Sequence, residues 1–257
     1  MNILVCIKQV PDMESKFKIS SDGQWYEQSD LTFKINEYDE YAIEEAVRLK
    51  EKLGSAEVVA LSIGPERTKE AIRKALAIGA DKGVHIHDDE SHKKDSFQIA
   101  TIIASYAKDK NFDIIFLGMQ SQDRASAQVG PILSELLGYN CITTIVSFEY
   151  QDGKVNVKRE LEGGIKAKVS AKLPVVLTCQ LGLNTVRYPT LPNIMKAKKK
   201  ELITINVNEL LNEQPRVINL KAYIPEKKKG GIILEGKSDE VADKLISILK
   251  EKTQVLR

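Results

Sequence analysis

"EVVALSIGPERTKEAIRKALAIGADKGVHIH", residues 57–87, holds one complete strand–helix–strand unit, and the fold class follows from it. Val58 to Ile63 is a short, mostly apolar run rich in β-formers, the pattern of a strand covered on both faces. Pro65 opens a helix where its missing N–H is harmless, and Ala71, Ile72, Ala75 and Leu76 recur at helical spacing on one face. "KGVHIH" then returns to strand. A strand, a crossover helix and a second strand imply a right-handed connection and parallel pairing.

The same rhythm extends in both directions. "NILVCI", Asn2 to Ile7, is a central strand; a helix is expected from Tyr38 to Leu53, with Ile43, Ala46, Val47 and Leu53 facing inward and Gly54 closing it. Ile99, Ile102, Ile103 and Tyr106 mark the next helix and "DIIFLG" the next strand. Val129, Ile132, Leu133, Leu136 and Leu137 form a regular stripe ended by Gly138. The alternation predicts an α/β fold: a Rossmann-like, mainly parallel sheet with helices on both faces. Two segments break the rhythm. "KFKISSDGQWYEQ" reads as a hairpin-like excursion around Ser21-Asp22-Gly23, and "TTIVSFEYQDGKVNVKRELEGG" as a hairpin through Asp152-Gly153 before the buried strand "LPVVLTCQLG", giving the sheet an antiparallel edge. Beyond Leu183 no further strand–helix unit is expected until "DEVADKLISILK", where Val241, Leu245, Ile248 and Leu249 make a final amphipathic helix. The expected organisation is an α/β domain over 1–183, followed by a loop and an extended C-terminal arm ending in a helix over 184–257.

With 42% hydrophobic and 29% charged residues, the 257-residue chain has ordinary globular composition. Its 38 basic and 36 acidic residues leave a formal charge of +2, so any basic partner surface must be local, as in the lysine clusters at 196–200 and 227–229. Cys6, Cys141 and Cys179 lie in apolar, strand-like runs without a CxxC, which reads as three small buried hydrophobes in a reducing compartment. No apolar run approaches the ~20 residues of a membrane span, and the first strand starts at Asn2, so the expected location is cytoplasmic, or the mitochondrial matrix in a eukaryote.

Open parallel sheets bind ligands beyond the carboxyl ends of their strands. No loop there carries GxGxxG or GxxxxGK[ST], so neither a standard dinucleotide site nor a P-loop is expected. "GMQSQDRASAQVGP", Gly118 to Pro131, instead puts Gln120, Ser121, Asp123, Ser126 and Gln128 at the mouth of a helix, whose free N–H groups suit a phosphate while the side chains suit ribose. Alternatively, Asp123 caps that helix. In "KINEYDEY", Asn36 and Asp39 are either caps or, with the residues between them, part of the same crevice. His85, His87 and His92 with Asp88 and Asp89 raise a metal site, but a surface strand end followed by a polar loop is the favoured reading, and no metal is expected. Paired acids such as Glu44-Glu45 read as solvated helix surface, and no nucleophile lies in an elbow context, so no catalytic residue is assigned.

"VKRELEGGIKAKVSAKLPVVLT" (157–178), "INEYDEYAIEEAVRLKEK" (35–52), "GPERTKEAIRKALAIGADKGVHI" (64–86) and "RYPTLPNIMKAKKK" (187–200) together resemble segments of the electron transfer flavoprotein beta subunit, in the same order and across nearly the whole chain. The resemblance implies an electron carrier rather than an enzyme. It implies a heterodimer with an alpha subunit that holds most of a shared FAD and receives the C-terminal arm, and AMP bound within this chain. It makes the 1–183 domain the nucleotide-binding domain and the loop after it a partner-recognition loop. The implied electron donors are flavin-dependent dehydrogenases of the acyl-CoA dehydrogenase type, as in fatty acid oxidation, with a quinone oxidoreductase or other acceptor downstream.

Carried onto this sequence, the nucleotide contacts fall at Cys6, at Asn36, Glu37, Tyr38 and Asp39, at Ile63, and at Gly118, Gln120, Ser121, Gln122, Asp123, Arg124, Ala125, Ser126, Ala127, Gln128 and Val129, with Tyr38 toward the flavin side. Partner docking falls to Tyr188, Leu191, Pro192, Ile194, Met195 and Lys196. Members that bifurcate electrons carry Asp-Gly-Asp-Thr before Ala-Gln-Val-Gly-Pro and hold a second FAD. Here Asp123 is followed by Arg124, Ala125 and Ser126, so AMP is expected, with a second FAD as the alternative. Lys166 and Lys168 also depart from the signature, which usually has an acid or glutamine after its two glycines. A stand-alone adenine-nucleotide sensor is the rival reading. Nucleic acid is not expected, because the lysine-rich loop offers no stacking aromatic beyond Tyr188.

Overall fold

A computed structural model describes residues 1–226 and 230–253; the 227–229 lysine cluster and residues 254–257 lie outside the described residues. The chain divides into two compact units, Met1–Ala222 and Tyr223–Arg257. The first contains the α/β fold. The second carries helix α6 (Ser238–Lys252), none of whose residues is buried.

The main sheet has nine strands. In spatial order they are β11 (Leu202–Asn206), β5 (Lys82–His87), β4 (Glu57–Gly64), β1 (Asn2–Cys6), β6 (Ile114–Gly118), β10 (Val175–Cys179), β7 (Asn140–Gln151), β8 (Lys154–Glu160) and β9 (Lys166–Lys172). β1 pairs in parallel with β4 on one side, Leu4 opposite Val59, and with β6 on the other, Leu4 opposite Ile115. From β7 outward the pairing is antiparallel. Asp152 and Gly153 both adopt positive φ, as the tight β7–β8 turn requires. The excursion after β1 forms a second, two-stranded sheet of β2 (Gln9–Pro11) and β3 (Phe33–Ile35), with an antiparallel bridge between Ile19 and Tyr26 inside it.

Strand alternation feeds two cores. Ile3, Val5, Ala60 and Phe116 pack on one face with α1 (Glu37–Leu53) and α2 (Lys69–Ile78). Leu4, Leu61, Ile86 and Ile115 pack on the other with α3 (Ser96–Ala107) and Leu133 of α4 (Val129–Leu137). Burying both faces explains why the central strands read as near-continuous apolar runs. Gly54 and Gly138 close α1 and α4 in the left-handed conformation, as expected for C-terminal caps.

Three expectations are corrected. "LITIN" forms β11, a parallel edge strand with Ile203 opposite Val84, although no further strand–helix unit is expected between Leu183 and the final helix; it is short, and its exposed edge tolerates the lysine-rich flank that masks it. Cys141 is exposed at the start of β7, where Ile142 takes the inward position, while Cys6 and Cys179 are buried. Glu44 and Glu45 of α1 are buried rather than solvated, because the chain beyond β10 covers that face of the helix.

Candidate functional site

The chain passes from β1 to β4 and β5 on one side, then crosses to β6 on the other side of β1. Connections therefore diverge at the carboxyl ends of β1 and β6, and a crevice opens between them. One carboxylate organises it. Asp39, in the first turns of α1, is buried; its Oδ2 accepts the N–H of Lys8 at 2.7 Å and its Oδ1 the N–H of Gly118 at 2.9 Å. It thus joins the two diverging strand ends. Burial pushes its pKa up to about 7, against the downward pull of the Lys8 N–H, the Asn36 amide, the Gly118 N–H and the Lys8 charge. A β-carbon at position 118 would collide with Asp39 Oδ1 and stand 2.6 Å from Tyr38 Cβ, so close approach of α1 to the strand end requires glycine.

Asn36 sits at the N-cap position of α1 but makes no capping bond; its side chain reaches across the crevice. Its Nδ2 donates to the Gln120 carbonyl at 2.8 Å and its Oδ1 accepts the Gln122 N–H at 2.9 Å. Gln120 Nε2 donates to Tyr38 Oη at 3.3 Å, and Gln122 Nε2 to Glu37 Oε2 at 3.0 Å. Asp123 is not a cap either, because α4 starts only at Val129. Its buried carboxylate receives both bonds from Lys8 Nζ, at 2.7 and 2.8 Å, and the same ammonium reaches Ser121 Oγ at 3.2 Å. Burial lowers the Lys8 pKa while Asp123 supports its charge. Arg124 turns away from the loop: its guanidinium donates to the Lys94 and His92 carbonyls and lies 4.7 Å over the Trp25 ring.

Of the residues predicted for the site, Cys6, Asn36, Asp39, Ile63, Gly118, Gln120, Ser121, Asp123, Arg124 and 126–129 line one continuous cleft. Glu37, Tyr38 and Gln122 stand behind that wall and brace it, and Ala125 serves the loop through a positive φ. Lys8, Gln9, Trp25 and Arg67 also line the cleft and were not predicted. Lys8 and Gln9 follow β1 directly, so the strand-end rule could have found them; Trp25 and Arg67 arrive only through tertiary structure. No side chain caps α4, and Gln128, Val129 and Gly130 line the cleft, which leaves N–H groups of the first helical turn without helical acceptors there.

The predicted docking residues lie elsewhere. Thr190 caps α5 (Leu191–Ala197), accepting the Asn193 N–H at 3.4 Å, and Pro192 occupies its first turn. Ala197 is buried and α5 packs against α2, while Tyr188, Leu191, Ile194, Met195 and Lys196 are exposed, Leu191 by 72%. Arg187 fixes the stem of this segment with bidentate contacts: Nε and Nη2 to Glu44 at 2.9 and 3.1 Å, Nη1 and Nη2 to Glu51 at 2.6 and 2.9 Å. Asn184 Nδ2 adds bonds to the Tyr41 carbonyl and Glu45. Lys200 leaves the basic cluster, placing Nζ on the carbonyls of Leu76 and Ala80 at the end of α2.

The sequence model of the electron transfer flavoprotein domain matches residues 25–210. The chain is 39% identical, over the whole length of both, to the electron transfer flavoprotein subunit beta of Bacillus subtilis (strain 168). Its counterpart in Mus musculus is 36% identical over 94% of this chain and 96% of its own length. In Bradyrhizobium diazoefficiens the subunit beta is 37% identical over both full lengths. Among the described residues no helix is long and apolar enough to cross a membrane. With the sheet order, the crevice and near-complete coverage in agreement, the chain belongs to the electron transfer flavoprotein beta subunit family.

Proposed function

We propose that this chain is the beta subunit of a heterodimeric electron carrier, that it holds AMP in the β1–β6 crevice, and that it presents α5 to reduced flavin-dependent dehydrogenases. The alpha subunit holds most of the FAD, which supplies the redox chemistry when bound. The observation that carries the AMP assignment is the cleft at the strand crossover, which combines polar and apolar walls, with the uncapped start of α4 in its lining. N–H groups there suit a phosphate. Apolar residues Ile63, Ile99, Ile103 and Leu117 line the same cleft and suit a base, and the buried Gln9 Oε1 is an acceptor without a partner. The residues therefore fit a mononucleotide. Asp39 and Asp123 are already engaged by N–H groups and an ammonium, so they organise the crevice rather than exchange protons with a substrate.

Exposed Leu191, Ile194 and Met195 on a short helix held at its stem have the character of an interface anchor. Docked in this way, α5 would hold a reduced dehydrogenase beside the alpha subunit, whose FAD would supply the redox chemistry of the relay. The test is co-expression with an alpha subunit, followed by the absorbance spectrum of the purified complex and identification of the nucleotide released on denaturation. One flavin and one AMP per heterodimer is the expected result. Two flavins would transfer the crevice to a second FAD, and a colourless monomer carrying ATP would replace the carrier with a nucleotide sensor.

A further inference from the structure

β5 delivers two histidines to one face of the sheet, two residues apart, and the turn after β4 brings a carboxylate beside them. One ligating atom from each of Glu66, His85 and His87 lies within 4.8 Å of the other two. The His85 imidazole is already oriented, and that of His87 has a carboxylate near its far nitrogen. His85, fully buried, uses Nε2 on the Gly64 carbonyl at 2.9 Å, and His87 places Nε2 3.5 Å from Asp89 Oδ2. In both rings Nδ1 is buried and has no hydrogen-bond partner. An imidazole whose far nitrogen is held by a carbonyl or carboxylate presents a lone pair on the other, the arrangement found around metal-ligating histidines. A buried acceptor left unpartnered is costly, and two on rings whose centroids are 5.6 Å apart ask for a shared electrophile.

We propose that Glu66, His85 and His87 bind one borderline divalent cation, with Zn²⁺ the best match. Two imidazoles and one carboxylate are a donor set that suits Zn²⁺ and similar transition ions and disfavours Mg²⁺ or Ca²⁺. Ligand atoms around a tetrahedral zinc stand about 3.4 Å apart. The three groups would have to draw together by about an ångström, and Glu66 has room to turn toward the imidazoles, because it is exposed and, among the described residues, its carboxylate is held only by Lys69 Nζ on Oε1 at 2.6 Å. His92, which the sequence places near the pair, belongs instead to the crevice wall beside Trp25. The ion would join β5 to the turn containing Pro65, Arg67 and Thr68, which also line the nucleotide crevice, and so brace that wall from behind.

The experiment uses the untagged full-length chain after treatment with chelator. Calorimetric titration with Zn²⁺ is expected to show one saturable site per chain, Co²⁺ to develop visible d–d absorbance, and Zn²⁺ to raise the thermal midpoint. His87→Ala, at a partly exposed ligand, is expected to lose tenfold or more in affinity. Glu66→Gln is expected to weaken binding, while His92→Ala retains it. No saturable binding to the wild-type chain would overturn the site, as would unchanged affinity in both His87→Ala and Glu66→Gln, or loss confined to His92→Ala. The readout needs neither flavin nor AMP, so its outcome is independent of the proposed carrier function.

Discussion

The crevice and the α5 segment are both anchored on α1, yet they are built in opposite ways. In the crevice the polar groups point inward and bond to one another: Asp39 bridges β1 and β6, Asn36 spans to the 118–128 loop, and Lys8 meets Asp123. At α5 the polar groups hold only the stem, and the apolar side chains at the tip face solvent. The first design fixes the shape of a cleft. The second fixes a position and leaves apolar surface exposed, which on the proposed function would find its contact energy on a partner.

If that contrast holds, substitutions should fall in a graded order of stability loss. Asp39→Asn comes first. It sets an NH₂ against a backbone N–H inside the fold, and a loss of about 2–4 kcal/mol is expected from denaturant unfolding, with nucleotide retention lost as well. The same residue gives a pH signature. Its native pKa of about 7 lies above the unfolded value, so its contribution to stability falls as pH rises from about 4 to about 7 and then levels off. The gap between wild type and Asp39→Asn should therefore narrow over that window; a gap that widens would show that the N–H donors outweigh burial.

Asp123→Ala should cost less, about 1–3 kcal/mol, because the orphaned Lys8 ammonium has a route to water. Its more specific effect is weaker AMP retention, measured on the isolated heterodimer. Arg187→Ala follows at about 1–2 kcal/mol: Glu44 is buried but keeps Arg48 at 2.5 Å. Proteolysis near 184–190 should accelerate while bound nucleotide is unchanged. Smallest of all is Leu191→Ala, within about 0.5 kcal/mol of wild-type stability. Electron transfer from a dehydrogenase should nevertheless fall about tenfold, the loss of one good interface anchor. Equal transfer rates in stopped-flow would remove Leu191 from the interface.

The fold was legible wherever the pattern was local. The 57–87 unit, the Gly138 cap and the Asp152-Gly153 turn are each settled by periodicity or backbone preference within a few residues. β11 was hidden because an edge strand of five residues needs no sustained pattern and sits behind lysines. For the site, the loops selected from sequence come together in one cleft, but how they are joined was misjudged. Asp39 and Asn36 read as either caps or crevice residues because both uses call for the same residue types; what decides between them is a strand end some 80 residues away in sequence, which no local rule reaches. The burial of Glu44 likewise depends on Arg187, and that of Asp123 on Lys8.

Helix α1 has one further property. Asp39 and Glu44 are five residues apart on a 17-residue helix, and Glu51 lies seven beyond. Their spacing is therefore a matter of phase as well as distance. Inserting a single residue between Asp39 and Glu44 would turn everything downstream by about 100° and advance it about 1.5 Å. The strand-bridging carboxylate would stay in place while the glutamates swing off the Arg187 stem. A helix used as a ruler in this way tolerates changes of side chain on its outer face far better than any change of length.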